Sequence, residues 1–358
     1  MTEIVETATA AEPGGLAPLL VLDRVRAFLD DHRLGVGALR AERIGEGGGS
    51  NFSFLLERDD GRRLVLRRPP RPPLPPTAHD VVRESRLQLA LAPLGIRVPT
   101  IRAVCEDASL LGVPFYVADY VDGHVVTTEL PPPLDAEPEA RRRLADDLVD
   151  TLAEIHAADV ATPALAVFAR PGSYAERQVR RFSQLWEINR TREMPDVVAV
   201  GSWLGRHLPP PLPPTVVHGD YRLGNMVLDG GRPDRIAAVL DWEMGAIGDP
   251  RADVGYLVAT YSEPGGPPNP LGTSPVTAAP GFPSRTELVD RYVESSGRDV
   301  EPLAWFESLA LWKAAVFCEA IYGRFIRGEL TGHDERARRF EQGVPQLAAA
   351  AAAAAGIG

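Results

Sequence analysis

The chain has 358 residues, 44% of them apolar and 24% charged, which is enough for two lobes with separate cores and a cleft between them. No apolar run approaches the roughly 20 residues that a membrane span needs, and 38 basic against 49 acidic side chains, a net charge of −11, argue against non-specific binding to nucleic acid. Cys105 and Cys318 lie far apart with no His or Cys at ligand spacing, which argues against a zinc site or a disulfide framework.

Along the chain, residues 1–18 read as a flexible tail, and their Glu3, Glu6 and Glu12 do not form a signal peptide, so the expected compartment is the cytoplasm. Helical spacing begins with Val21, Leu22, Val25, Phe28 and Leu29. A glycine-rich hairpin over 44–57 and a third strand over Arg63–Arg68 follow, separated by the turn Asp59, Asp60, Gly61. The prolines between Pro69 and Pro76 form an extended connector to a helix near Asp80–Leu91, and strands near Ile101–Cys105 and Phe115–Tyr120 close a small lobe, residues 19–121. The larger lobe, residues 122–347, is mainly helical, with Leu144, Leu148, Leu152 and Ile155 on one helix face and further helices at Tyr174–Asn189 and Leu303–Ile326. Residues 263–283 are rich in Pro and Gly and form a long loop suited to a lid. The alanine run Ala348–Ala355 lies in a low-complexity tail, residues 348–358, and is expected to fray. The expected fold class is therefore α+β, a small β-rich lobe followed by a larger mainly helical one.

Chemistry concentrates in residues 216–253. His218, Gly219, Asp220, Tyr221, Arg222, Leu223, Gly224 and Asn225 precede a short hairpin, Met226–Leu228 and Ile236–Leu240, turned at Asp229, Gly230 and Gly231. Asn225 enters its first strand and Asp241 leaves its second, so antiparallel pairing brings an amide oxygen and a carboxylate to one end. Such hard oxygen ligands, completed by water and nucleotide phosphates, suit Mg²⁺. Phosphoryl transfer also needs a carboxylate to accept the hydroxyl proton, and Asp220 is the candidate; Arg222, two residues on, is positioned to meet negative charge on the moving group. Any one of these residues alone reads as a turn or helix cap.

His218, Gly219 and Asp220 with Asn225, then Asp241, Trp242, Gly248, Asp249, Pro250 and Asp253, resemble the aminoglycoside phosphotransferase family, which has the protein-kinase-like two-lobed fold. The resemblance spans Arg43–Arg327. It implies Asp220 as catalytic base, Asn225 and Asp241 as magnesium ligands, and His218, Asp249 and Asp253 as supports of the loops. It also implies ATP bound by the small lobe: Gly47, Gly48, Gly49, Ser50 and Asn51 at the phosphates, and Asp119 and Val121 in a hinge whose backbone meets adenine. Kinases carry a phosphate-binding lysine on the third strand; here Arg67 stands there, with Arg68 as its rival and Glu84 as the partner that orients it, because Lys313 is the only lysine of the chain.

Leu66–Pro70, Gly48–Asn51 and Tyr174–Trp186, with Arg177, Gln178, Arg181 and Phe182, are similar to the kinase-like domains related to those fused to acyl-CoA dehydrogenases. That branch implies a small-molecule hydroxyl acceptor of the hydroxyacyl or other metabolic kind. Arg177, Arg180 and Arg181 would attract an anion if they face the site, and otherwise form a solvated helix face. The alternatives are an aminoglycoside or macrolide kinase, a pseudokinase suggested by the missing lysine, a protein-serine kinase without its activation-loop pattern, and a metal-dependent phosphoesterase lacking a histidine cluster. Oligomeric state is not encoded in any of these motifs.

Overall fold

The computed structural model describes residues 3–8, 17–45, 51–72, 79–266, 271–329 and 335–357, and the chain forms two compact units, Met1–Val121 and Asp122–Gly358. In the first unit, β1 (Ile4–Val5) and β2 (Leu20–Val21) pair in parallel and lead into α1 (Leu22–Asp31). The strands β3 (Leu39–Ile44), β4 (Phe52–Arg58) and β5 (Arg63–Arg68), the helix α2 (Val81–Leu91), and the strands β6 (Ile101–Cys105) and β7 (Phe115–Asp119) follow. The five longer strands form one antiparallel sheet in the order β3-β4-β5-β7-β6.

The pleat sends alternate side chains to opposite faces. Phe54, Leu56, Leu64, Leu66, Phe115 and Val117 are fully buried on one face, against Val25 and Leu29 of α1 and against Val5, Leu19 and Leu20. Tyr116 and Ala118 point the other way and pack with Val81 of α2. The flexible tail expected for residues 1–18 is thus corrected where it is described: Glu3 O accepts hydrogen bonds from the amides of Leu19 (2.7 Å) and Leu20 (3.0 Å), and Val5 is part of the core. The reason is that Val5, Leu19 and Leu20 are apolar and join the same cluster as α1 and that sheet face.

The second unit contains β8 (Gly123–Val125), α3 (Pro138–His156), α4 (Pro163–Ala166), α5 (Tyr174–Asn189) and α6 (Pro195–Arg206). Four short strands come next, β9 (Thr215–Val217), β10 (Met226–Asp229), β11 (Ile236–Val239) and β12 (Ala246–Gly248), then α7 (Arg251–Thr260), α8 (Arg285–Ser296), α9 (Leu303–Ile326) and α10 (Glu335–Ala354). The order β11-β10-β8 makes one small sheet, and β12-β9 makes another. Helix α9 is the axis of the unit: Trp305, Phe306, Leu309, Trp312 and Ala315 are buried against α5, α6, α7 and α10.

The alanine run does not fray. Ala348 and Ala351 are fully buried, at a spacing that puts them on one helix face, and Ser308 Oγ of α9 donates to Ala351 O at 2.9 Å. Alanine favours the helix and its small side chain lets α10 approach α9 closely. The long segment after α7 is tied down at both described ends: Thr277 Oγ1 accepts from the Ser262 amide at 2.9 Å and donates to Ser262 O at 2.8 Å, and Tyr261 donates its hydroxyl to Pro283 O at 2.8 Å.

Candidate active site

The loop after β9 is built on one buried carboxylate. Asp253, in the first turn of α7 and fully buried, accepts the amides of His218 and Gly219, each at 2.7 Å. Its Oδ2 also meets His156 Nε2 at 3.2 Å, and His156 Nδ1 is 2.7 Å from the Tyr292 hydroxyl. Burial pushes the Asp253 carboxyl up, but the hydrogen bond and charge of His156 and the Gly219 amide outweigh it and hold it below the ordinary carboxylate value.

Gly219 has φ +85°, and a Cβ there would lie 2.9 Å from Met244 Cβ and 3.1 Å from Met244 O, so only glycine makes this bend. The His218 ring spans the site, with Nε2 at 2.8 Å from Leu240 O and Nδ1 accepting the Asp220 amide at 3.2 Å. A carbonyl at one nitrogen and an N–H at the other select the neutral ring with its proton on Nε2.

These contacts deliver the carboxylate of Asp220, whose side chain is 24% exposed. Asn225 Nδ2 donates to Asp220 O at 2.8 Å and to Asp220 Oδ2 at 2.7 Å. Asp220 Oδ1 is buried and accepts no hydrogen bond within the geometric limits; Arg222 Nε lies 3.5 Å from it. Gly224 makes room for that arginine, since a Cβ there would meet Arg222 Nη1 at 2.1 Å. Asn225 also accepts the Leu240 amide on its backbone oxygen at 2.8 Å, and Met226 pairs with Val239 across β10–β11.

Asp241 follows Leu240 in the left-handed conformation, φ 63° and ψ 60°, which a non-glycine residue adopts at a cost of about 1 kcal/mol or more and which the surrounding hairpin must hold. The bond from the Leu240 amide to Asn225 O brings the backbones of Asn225 and Asp241 to the same end of the β10–β11 ribbon, and Asn225 Nδ2 ties Asp220 to that end. Asn225 spends its N–H groups on Asp220, which leaves its amide oxygen and the Asp241 carboxylate as hard oxygens of the kind that suit Mg²⁺. Among the described residues no group of three or more His, Cys, Asp or Glu is placed to hold a metal by itself.

Asp249 and Arg251 form a buried pair instead, at 2.7 Å, and Arg251 also donates to Pro210 O and Glu301 O. They anchor the start of α7 and take no part in the oxygen set.

In the first unit the pleat separates the two candidate arginines. Arg68 lies on the face of Leu64 and Leu66, 1% exposed, and donates to the carbonyls of Leu19, Pro69 and Leu111; burial, then the charge of Arg71, lowers its pKa to about 10. Arg67 lies on the α2 face opposite Tyr116, with Nε 3.1 Å from the carboxylate of Glu84. Glu84 is 1% exposed, and also accepts from the Tyr116 hydroxyl at 3.1 Å and from Asn51 Nδ2 at 3.5 Å. Asn51 thus turns its amide to Glu84.

Gly47, Gly48, Gly49 and Ser50 lie outside the described residues. In the hinge segment the Asp119 carboxylate is paired with Arg102, and its amide donates to Thr100 O at 2.9 Å. The Asp119 side chain and amide are thus committed to protein. At Val121 the backbone makes no such contact among the described residues.

Sequence reasoning missed three groups around Asp220. His156 is separated from Asp253 by 97 positions, and no local signal marked it. Tyr256, one turn beyond Asp253 on α7, lies against Asp220: burial, then the charge and hydrogen bonding of Asp220, push its phenol well above the ordinary value. Lys313 of α9 feels both Asp220 and Asp253, and its signal was its singularity as the only lysine.

A five-stranded antiparallel sheet carrying an Arg–Glu pair, followed by a mainly helical unit with an Asp–Asn loop and an Asp-ended hairpin, defines a kinase-like phosphotransferase. Residues 41–306 match the phosphotransferase enzyme family, and the chain belongs to it. It is 33% identical over 285 residues to mouse (Mus musculus) acyl-CoA dehydrogenase family member 10, a match covering 79% of this chain and 26% of that protein. The chain thus spans about a quarter of that relative's length. A crystal structure from Ralstonia eutropha JMP134, provisionally described as an aminoglycoside phosphotransferase, superposes with a TM-score of 0.73 at 26% identity, covering 92% of this chain and 97% of that one. Spectinomycin phosphotransferase, solved with ADP and spectinomycin, shares the fold at 12% identity and a TM-score of 0.56 over 91% of this chain and 98% of that one.

Proposed function

We propose that the chain is an ATP- and Mg²⁺-dependent kinase that moves the γ-phosphate to a hydroxyl of a small molecule. The observation that carries this reading is the Asp220 carboxylate, fixed by Asn225 through Oδ2 and flanked by Arg222 at Oδ1, on the same loop and ribbon as Asp241. Asp220 Oδ1 accepts the proton of the acceptor hydroxyl as that oxygen attacks phosphorus; the Asn225 bond keeps the carboxylate from rotating away. Arg222, beside Asp220, supplies positive charge where the transferring group is negative.

Asn225 and Asp241 would hold the Mg²⁺, which when bound neutralises the nucleotide phosphates. Arg67, oriented by Glu84, replaces the usual lysine at the phosphates with a permanently charged fork. Val121 would meet the nucleobase through its backbone.

The likeness to a protein of the acyl-CoA dehydrogenase family supports a hydroxyacyl or other metabolic acceptor over an antibiotic. The test is ATP consumption with Mg²⁺ across hydroxy acids, hydroxyacyl thioesters, aminoglycosides and macrolides. Asp220→Asn is expected to lose a factor of about 10³ in turnover while still binding nucleotide. Full turnover in that variant contradicts the assignment, and turnover with antibiotics alone contradicts the acceptor class.

A further inference from the structure

Lys313 sits midway along α9, half-buried, with its Nζ 5.0 Å from the centroid of the Phe182 ring on α5. The guanidinium of Arg181 lies 6.0 Å from the same ring. Neither cation forms an ion pair within 4 Å among the described residues. Their neighbours on α5 are committed: Arg177 donates to the carbonyls of Arg170, Pro171 and Gly172, and Arg180 pairs with Glu176.

The acidic groups that Lys313 feels, Asp220 and Asp253, are engaged as well. Asp253 accepts two amides and meets His156, and Asp220 holds Asn225. A half-buried ammonium that shares the Phe182 ring with the exposed guanidinium of Arg181, and has no carboxylate in contact, is completed by an anion. The aromatic face steadies the ammonium without neutralising it.

We propose that Lys313, with Arg181 beside it, binds a carboxylate or phosphate carried by the acceptor, so that Lys313 selects hydroxylated anions for the Asp220 site. This deepens the phosphotransfer reading and rests on it for the role of Asp220. Two cations at this position repel a polycationic acceptor, and a neutral alcohol leaves them unpaired. Burial, then the charge of Arg181, bring the Lys313 pKa down to about 8, against the opposing pull of Asp253 and Asp220. Anion affinity therefore falls as pH rises through about 8, because the ammonium loses its proton.

A chain with one lysine gives one resonance when lysine is labelled with ¹³C at Cε. The full chain, without nucleotide, is titrated with 3-hydroxybutyrate, inorganic phosphate, butane-1,3-diol and ADP. The resonance is expected to shift saturably with hydroxybutyrate and phosphate and to stay in place with the diol. Lys313→Arg retains hydroxybutyrate binding, followed by calorimetry, whereas Lys313→Met weakens it about tenfold or more at unchanged melting temperature. A resonance that ignores both anions, answers the diol equally, or answers ADP alone overturns the proposal; the last result assigns Lys313 to nucleotide phosphate. Because the readout needs no turnover, its failure is distinct from failure of the Asp220→Asn test.

Discussion

Glu84 in the first unit and Asp253 in the second are both buried carboxylates with several donors, yet the donors differ in kind. Glu84 gathers side chains, from Arg67, Tyr116 and Asn51. Asp253 gathers backbone, the amides of His218 and Gly219, with His156 behind. A carboxylate that holds side chains can adjust with them, and so an arginine can stand where related folds place a lysine. A carboxylate that holds main chain sets the path of the loop that presents Asp220, and has no such freedom.

The comparison breaks most visibly at Asp253. Asp253→Ala strands two buried amides and the His156 ring, and is expected to cost about 3 kcal/mol or more of stability, read as a fall in the denaturation midpoint together with loss of phosphotransfer. Near-native stability and turnover would mean that the loop holds itself. Glu84→Gln is milder, because the amide oxygen still accepts from Arg67 while its NH2 donates to the Tyr116 hydroxyl in place of the present bond. Its expected result is about a tenfold rise in the KM for ATP with melting temperature little changed, measured by initial rates. A fall in kcat at constant KM would contradict the orienting role.

The smallest effect sharpens the contrast. Arg67→Lys restores the point charge of related kinases and is expected to change the ATP KM by a factor of about three or less, since Glu84 can hold either cation. A loss as deep as that of Asp253→Ala would show that the arginine cluster is as rigid as the catalytic loop.

What was legible in the chain follows the same division. The backbone neighbourhood of Asp220, Asn225 and Asp241 was legible because the loop and the ribbon after it are contiguous, and antiparallel pairing of Met226 with Val239 follows from the hairpin pattern. Tyr174–Asn189 and Leu303–Ile326 were readable from spacing alone, and the observed helices have those bounds. The alternation of Leu64 and Leu66 also held the answer to Arg67 against Arg68, since a residue two on from Leu66 must share its buried face. Only the neighbour of that face, Leu19, was missing.

The contacts that escaped are those between distant segments. His156 of α3 meets Asp253, the charge of Asp220 acts on Lys313 of α9, and Val5 of β1 joins the core of the sheet from a stretch whose composition reads as loose. The alanine run was misread for a related reason: its low complexity hides a spacing that matters only once α9 is present to receive Ala348 and Ala351.

Central to the account is the metal–nucleotide role of Asn225 and Asp241. Calorimetric binding of ADP with and without Mg²⁺, in the parent chain and in Asp241→Ala, tests it most directly. The account predicts that Mg²⁺ tightens ADP binding about tenfold or more in the parent, and that Asp241→Ala loses this gain while keeping the metal-free affinity. Equal enhancement by Mg²⁺ in both proteins would contradict it.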